Sequence, residues 1–71
     1  MKNFTELLEE LREARQISKK DLAIRAGLTP GYVSLLTRGE RTAPSQETVK
    51  ALADALNLDI ETKTTFFKAA G

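Results

Sequence analysis

Gly27, Leu28, Thr29 and Pro30 punctuate the middle of the chain more sharply than any other stretch. Glycine is the residue that most readily ends a helix in the left-handed conformation. Threonine followed by proline is a helix cap and a first helical residue whose missing N–H is not needed there. A helix that stops at Gly27 therefore has its successor starting only two residues later. Ser18, with Asp21 three residues on, marks the start of the first of the pair, which runs through Leu22, Ala23 and Ala26. The second runs from Thr29 to about Arg38 and stops at Gly39. Ala23 lies four residues before Gly27, where a small side chain lets the two helices cross closely. Val33 and Leu36 follow on one inward face, and Leu22 and Leu28 close the same small core.

Helical periodicity continues on both sides of this pair. Phe4, Leu7, Leu8 and Leu11 recur at i, i+3, i+4 and i+7, an apolar stripe on a first helix that Asn3 and Glu6 start with capping-box spacing. Its other face carries Glu6, Glu9, Glu10 and Glu13 and then Arg12 and Arg15, a solvated face whose charge order complements the helix dipole. Glu40 to Pro44 reads as a loop, and Ser45 caps a fourth helix with Val49, Leu52, Ala53 and Leu56 inward. Asn57 ends that helix, and Asp59 caps a last one through Phe66, Phe67 and Ala70. The spacing predicts an all-α chain of five short helices, without internal repeat or low-complexity segment.

Composition removes most chemistries. At 71 residues the chain holds one small core. It has no Cys, which excludes disulfides, thiolate metal sites and cysteine nucleophiles. The absence of His removes the commonest general base and imidazole metal ligation. The carboxylates Glu6, Glu9, Glu10 and Glu13 share a solvent-facing helix with no cleft. No enzyme activity, cofactor, metal or small-molecule substrate is expected. Unbroken apolar runs reach three residues at most, far below the roughly 18 of a membrane span, and no signal segment follows Met1. The expected location is the cytoplasm.

Two short helices joined at Gly27 have the layout of a helix-turn-helix. With Leu22-Ala23, Gly27, Leu28-Thr29, Val33-Ser34, Leu36 and Arg38-Gly39 in register, the sequence resembles the phage-repressor/Cro-type (XRE) helix-turn-helix family. The similarity continues through the Arg38-Gly39-Glu40-Arg41 loop, Pro44-Ser45 and the run from Val49 to Leu58, and covers roughly residues 4 to 67. It implies a compact five-helix, lambda-repressor-like DNA-binding domain. In such domains the third helix, here about residues 29–38, enters the major groove and the second crosses the backbone.

Carried over by position, the resemblance puts Pro30, Gly31, Tyr32, Ser34 and Leu35 on the base-facing surface. Lys19 takes the first position of helix two, where the family usually has a phosphate-contacting Gln, with Lys20 beside it. Arg38, Arg41 and Thr42 fall where backbone contacts are expected. The sequence departs from the family in one respect that matters. Base readout rests on Arg, Lys, Asn or Gln forming bidentate hydrogen bonds, and Pro30, Gly31 and Leu35 stand at the usual positions. Tyr32 and Ser34 offer single hydrogen bonds, and Leu35 an apolar contact to a thymine methyl. Thr37 also replaces the Glu that commonly precedes the Arg-Gly ending.

The formal net charge of +1 conceals an uneven distribution. From Arg12 to Lys50 eight basic residues face four acidic ones, while the rest of the chain carries three basic against six acidic. A basic middle with acidic ends is what a phosphate-facing surface requires.

The adjacent Phe66 and Phe67 point about 100° apart on the last helix, so they cannot be equally buried. Besides filling the core, they are candidates for a surface that meets a second copy or a following domain of a parent protein. Residues 1–71 read as a single domain, either a complete small bacterial or phage regulator or the N-terminal module of a larger protein. The expected partner is double-stranded DNA, bound by a transcriptional regulator. The alternative is a protein-interaction module that keeps the fold and uses an apolar patch around Leu35 and Tyr32.

Overall fold

A computed structural model of the chain describes residues 2–40 and 44–71. Each of its five helices starts where a short polar side chain stands just outside the first turn. The caps are Asn3, Ser18, Thr29, Ser45 and Asp59, and each side chain accepts a hydrogen bond from the amide three residues ahead. The helices are α1 (Phe4–Ala14), α2 (Lys19–Ala26), α3 (Pro30–Thr37), α4 (Gln46–Ala55) and α5 (Ile60–Ala69). All five lie where the sequence predicts them. No helix among the described residues is long and apolar enough to cross a membrane.

The apolar stripes of all five helices meet in one core. Leu8, Leu22, Ala23, Val33, Leu36, Leu52, Ala53, Leu56 and Phe66 are fully buried there, and Ile17 and Leu58 in the connections close its edges. The second helix packs on α3 and α4, α4 on α5, and α1 bridges α3 and α5. Thr5 on α1 also donates its hydroxyl to the Leu36 carbonyl at 3.1 Å, tying the first helix to the C-terminal end of α3.

Two expectations about individual side chains change. Phe66 is 0% exposed, its ring 4.9 Å from that of Phe4 and tilted by 39°, so it joins α5 to α1 inside the core and cannot form a surface. A domain this small has few large side chains to fill its centre, and Phe66 takes that place. Phe67 remains half-buried against the core edge. Among the described residues, the large apolar side chains that do stand in solvent are Ile24 on α2, 65% exposed, and Ile60 at the start of α5, 83% exposed.

Arg12 is the second correction. Its Nη1 donates to the Ile17 carbonyl at 2.8 Å and its Nη2 to Glu9 Oε2 at 2.6 Å, and its side chain is only 15% exposed. Glu9 belongs to the acidic row read as a solvated face, yet it is half-buried against this guanidinium. The pair folds the chain from α1 into α2 and withdraws one cation from the basic surplus of the middle segment.

Candidate nucleic-acid interface

The turn between α2 and α3 is built from local hydrogen bonds. Gly27 takes φ 72° and ψ 27°, the left-handed conformation that glycine adopts without a Cβ clash. Leu28 N–H then donates to the Ala23 carbonyl at 2.8 Å, closing the helix end. Thr29 Oγ1 accepts from Tyr32 N–H at 3.1 Å, and Pro30 follows as the first residue of α3. Ala23, with no solvent exposure, sits where the sequence requires a small side chain under the crossing.

Successive residues advance about 100° around a helix, and this sorts the residues of α3. Val33, Leu36 and Thr37 are buried on the inward face. Thr37, which departs from the family's Glu, turns its hydroxyl back onto the Ser34 carbonyl at 3.1 Å. Opposite them runs the line of Gly31, Leu35 and Arg38, at i, i+4 and i+7, with Ser34 beside it. Of the five base-facing candidates, Gly31, Ser34 and Leu35 therefore share the outward surface. Pro30 and Tyr32 lie on its two flanks. Pro30 and Gly31 are exposed; Tyr32, Ser34 and Leu35 are half-buried. Tyr32 packs against the core cluster. Of the apolar patch expected around Leu35 and Tyr32, the Tyr32 side chain leans on its own fold, while Leu35 stays on the outward face, half-buried.

The cations separate into distinct groups. Lys19 and Lys20 are exposed in the first turn of α2 and make no ion pair among the described residues. Two lysines at a helix N-terminus oppose the macrodipole. Ser18 Oγ takes the Asp21 N–H and the Asp21 carboxylate stands in the same turn, so the two lysines leave it a net positive charge of about one, suited to a phosphate. Arg38 Nε meets Glu40 Oε2 at 2.7 Å, with both side chains more than half exposed. A pair so open to water is worth little and exchanges readily for a phosphate. Arg41 and Thr42 lie outside the described residues. Arg15 and Arg25 stand elsewhere, lining an open pocket of about 240 Å³ with Asp21 and Asn57 on the flank of α2 that faces the end of α4.

Sequence reasoning missed the role of Arg12 and the exposure of Ile24 and Ile60. For Arg12 a signal was present, since Glu9 precedes it at the i, i+3 spacing of a helical ion pair. For the isoleucines no local signal exists, because their exposure depends on which neighbours the fold brings.

Known proteins carry the same pattern. The family described as helix-turn-helix matches residues 8–63. Over 61 residues the chain is 36% identical to the HTH-type transcriptional repressor RghR of Bacillus subtilis, covering 86% of this chain and 45% of that protein. It is 34% identical over 61 residues to the uncharacterized HTH-type transcriptional regulator RghRB of the same organism, covering 86% and 44%. With the HTH-type transcriptional regulator DdrOP3 of Deinococcus deserti it shares 42% over 55 residues, covering 78% and 42%. The chain thus spans less than half the length of these relatives. A turn sealed at Gly27, a capped α3 and a family match across all of α2, α3 and α4 converge on one conclusion: the chain belongs to the XRE-type helix-turn-helix family.

Proposed function

We propose that this domain binds double-stranded DNA in the cytoplasm, as a transcriptional regulator or as the DNA-binding module of one. Helix α3 lies in the major groove with Gly31, Ser34 and Leu35 toward the bases. Lys19, Lys20, Arg38, Arg41 and Thr42 hold the phosphate backbone. The observation that carries this reading is the unpaired Lys19-Lys20 pair in the first turn of α2, beside an outward α3 face free of acidic side chains. An α-helix with its side chains is about 10–12 Å across, which fits a major groove of about 12 Å. The names of the matched relatives, all transcriptional regulators, support the same function.

With no bidentate reader on α3, phosphate contacts supply most of the affinity and the bases modulate it. Any pairing with a second copy uses Ile60 and Phe67, which share one stripe of α5 at i, i+7. The rival reading, a protein-interaction module working through Leu35 and Tyr32, has only two half-buried side chains to use.

Titration of the domain with random-sequence duplex DNA, followed by backbone amide shifts, tests the proposal. Shifts confined to α2, α3 and the segment after them are expected. Shifts clustered on α5 that spare Lys19 to Glu40 would favour the interaction module.

A further inference from the structure

The chain has four glycines, and three of them hold backbone that other residues rarely adopt: φ is 72° at Gly27, 76° at Gly39 and 97° at Gly71. Gly31 differs. Its φ is in the ordinary range for a helix, and a Cβ built on it meets nothing within 4 Å. Neither backbone nor packing requires a glycine there. Within a helix only proline is less favourable, because glycine surrenders the most conformational freedom on folding. The residue is thus a small burden on α3 that no contact inside the chain explains.

Its location points outside the chain. Gly31 lies in the first turn of α3, exposed, on the line through Leu35 and Arg38 that runs opposite Val33, Leu36 and Thr37. A rod pressed into a groove touches its floor along that line first. The recognition helices of this motif contact bases chiefly with their N-terminal residues, so position 31 is also at the leading end.

We infer that Gly31 is the point of closest approach between the domain and the duplex. The missing side chain lets the α3 backbone settle one Cβ nearer the groove floor. This brings Leu35 within reach of base methyl groups and Arg38 within reach of the phosphates. Position 31 then determines specificity by fit: it admits the groove through shape and apolar contact where related sites use hydrogen-bonding side chains. The inference rests on the proposal that α3 lies in the major groove.

The test uses Gly31→Ala and Gly31→Ser in the same 71-residue domain, with a random-sequence duplex of about two helical turns as probe at one fixed salt concentration. The melting temperature should hold or rise, since alanine suits this backbone better than glycine does. Affinity for the duplex should fall about tenfold for both variants, which is ~1.4 kcal/mol. Unchanged affinity in a folded variant overturns the inference and leaves the DNA-binding proposal standing. A lowered melting temperature also overturns it, because the fold would then require the glycine. Failure of the unsubstituted domain to bind any duplex overturns the proposed function first, and this inference with it.

Discussion

Arg12 illustrates how a single side chain can be misassigned by counting charges. Its guanidinium fastens the Ile17 carbonyl and Glu9 across the bend from α1 to α2, while Arg12 Nε and Glu9 Oε1 find no partner among the described residues. Hydrogen bonds to charged groups are worth about 1.5–3 kcal/mol, and a partner left buried adds a desolvation penalty. Arg12→Ala should therefore destabilise the domain by about 2 kcal/mol in urea denaturation. Its DNA affinity, measured where the variant is fully folded, should not change. Leu35 gives the opposite pattern. Leu35→Ala should weaken binding to a thymine-rich duplex by about 1 kcal/mol, the scale of one or two buried methyl groups. Against the same duplex with uracil in place of thymine, the variant and the parent should bind alike. An equal loss on both duplexes would mean that Leu35 does not touch the methyl groups.

At the scale of helices, the sequence was legible wherever the deciding interaction spans three residues. Asn3, Ser18, Thr29, Ser45 and Asp59 each hold an amide that the spacing alone identifies, with Asp59 Oδ1 at 2.7 Å from Thr62 N–H. Gly27 was legible because the left-handed backbone at a helix end selects glycine. Phe66 and Ile60 were not: the burial of Phe66 depends on Phe4 of α1, and the exposure of Ile60 on which neighbours the fold brings, and no local pattern encodes either. The interface divides likewise. The order of residues around α3 follows from helical geometry, but the half-burial of Tyr32 follows from tertiary packing. Thr29→Ala should remove about 1 kcal/mol of stability, the usual value of an N-cap, readable by thermal melting. Asp59 adds a dependence on acid. The backbone N–H of Thr62 first, then its hydroxyl, and then the charge of Arg15 hold the Asp59 carboxyl below the ordinary aspartate range. Its contribution is therefore complete above the unfolded value of about 3.9 and disappears as pH falls through the lowered folded value. Melting temperatures of Asp59→Asn, which keeps a capping oxygen, should fall less steeply than those of the parent below that pH.

For the molecule as a whole, size sets the stoichiometry. The domain measures 26 × 23 × 21 Å, shorter in every direction than the roughly 34–36 Å between paired half-sites on DNA. On the proposed mode of binding, one copy reaches a single half-site and two half-sites take two copies. If about four phosphates are neutralised per copy, log K should fall against log salt with a slope of about −3.6. An affinity that ignores salt would contradict the phosphate assignments. If two copies meet through α5, Ile60→Glu should lower the apparent mass in sedimentation while a single half-site binds as before. Finally, the two faces of α3 have separate histories open to them. Val33 and Leu36 are held by the core, whereas a side chain at Gly31 would meet nothing within 4 Å and the Ser34 hydroxyl makes no hydrogen bond among the described residues. Mutation can therefore rewrite the outward face while the inward one stays fixed. If α3 reads DNA as proposed, a lineage carrying this domain can exchange one target for another by changes at a few exposed codons, with little demand on folding.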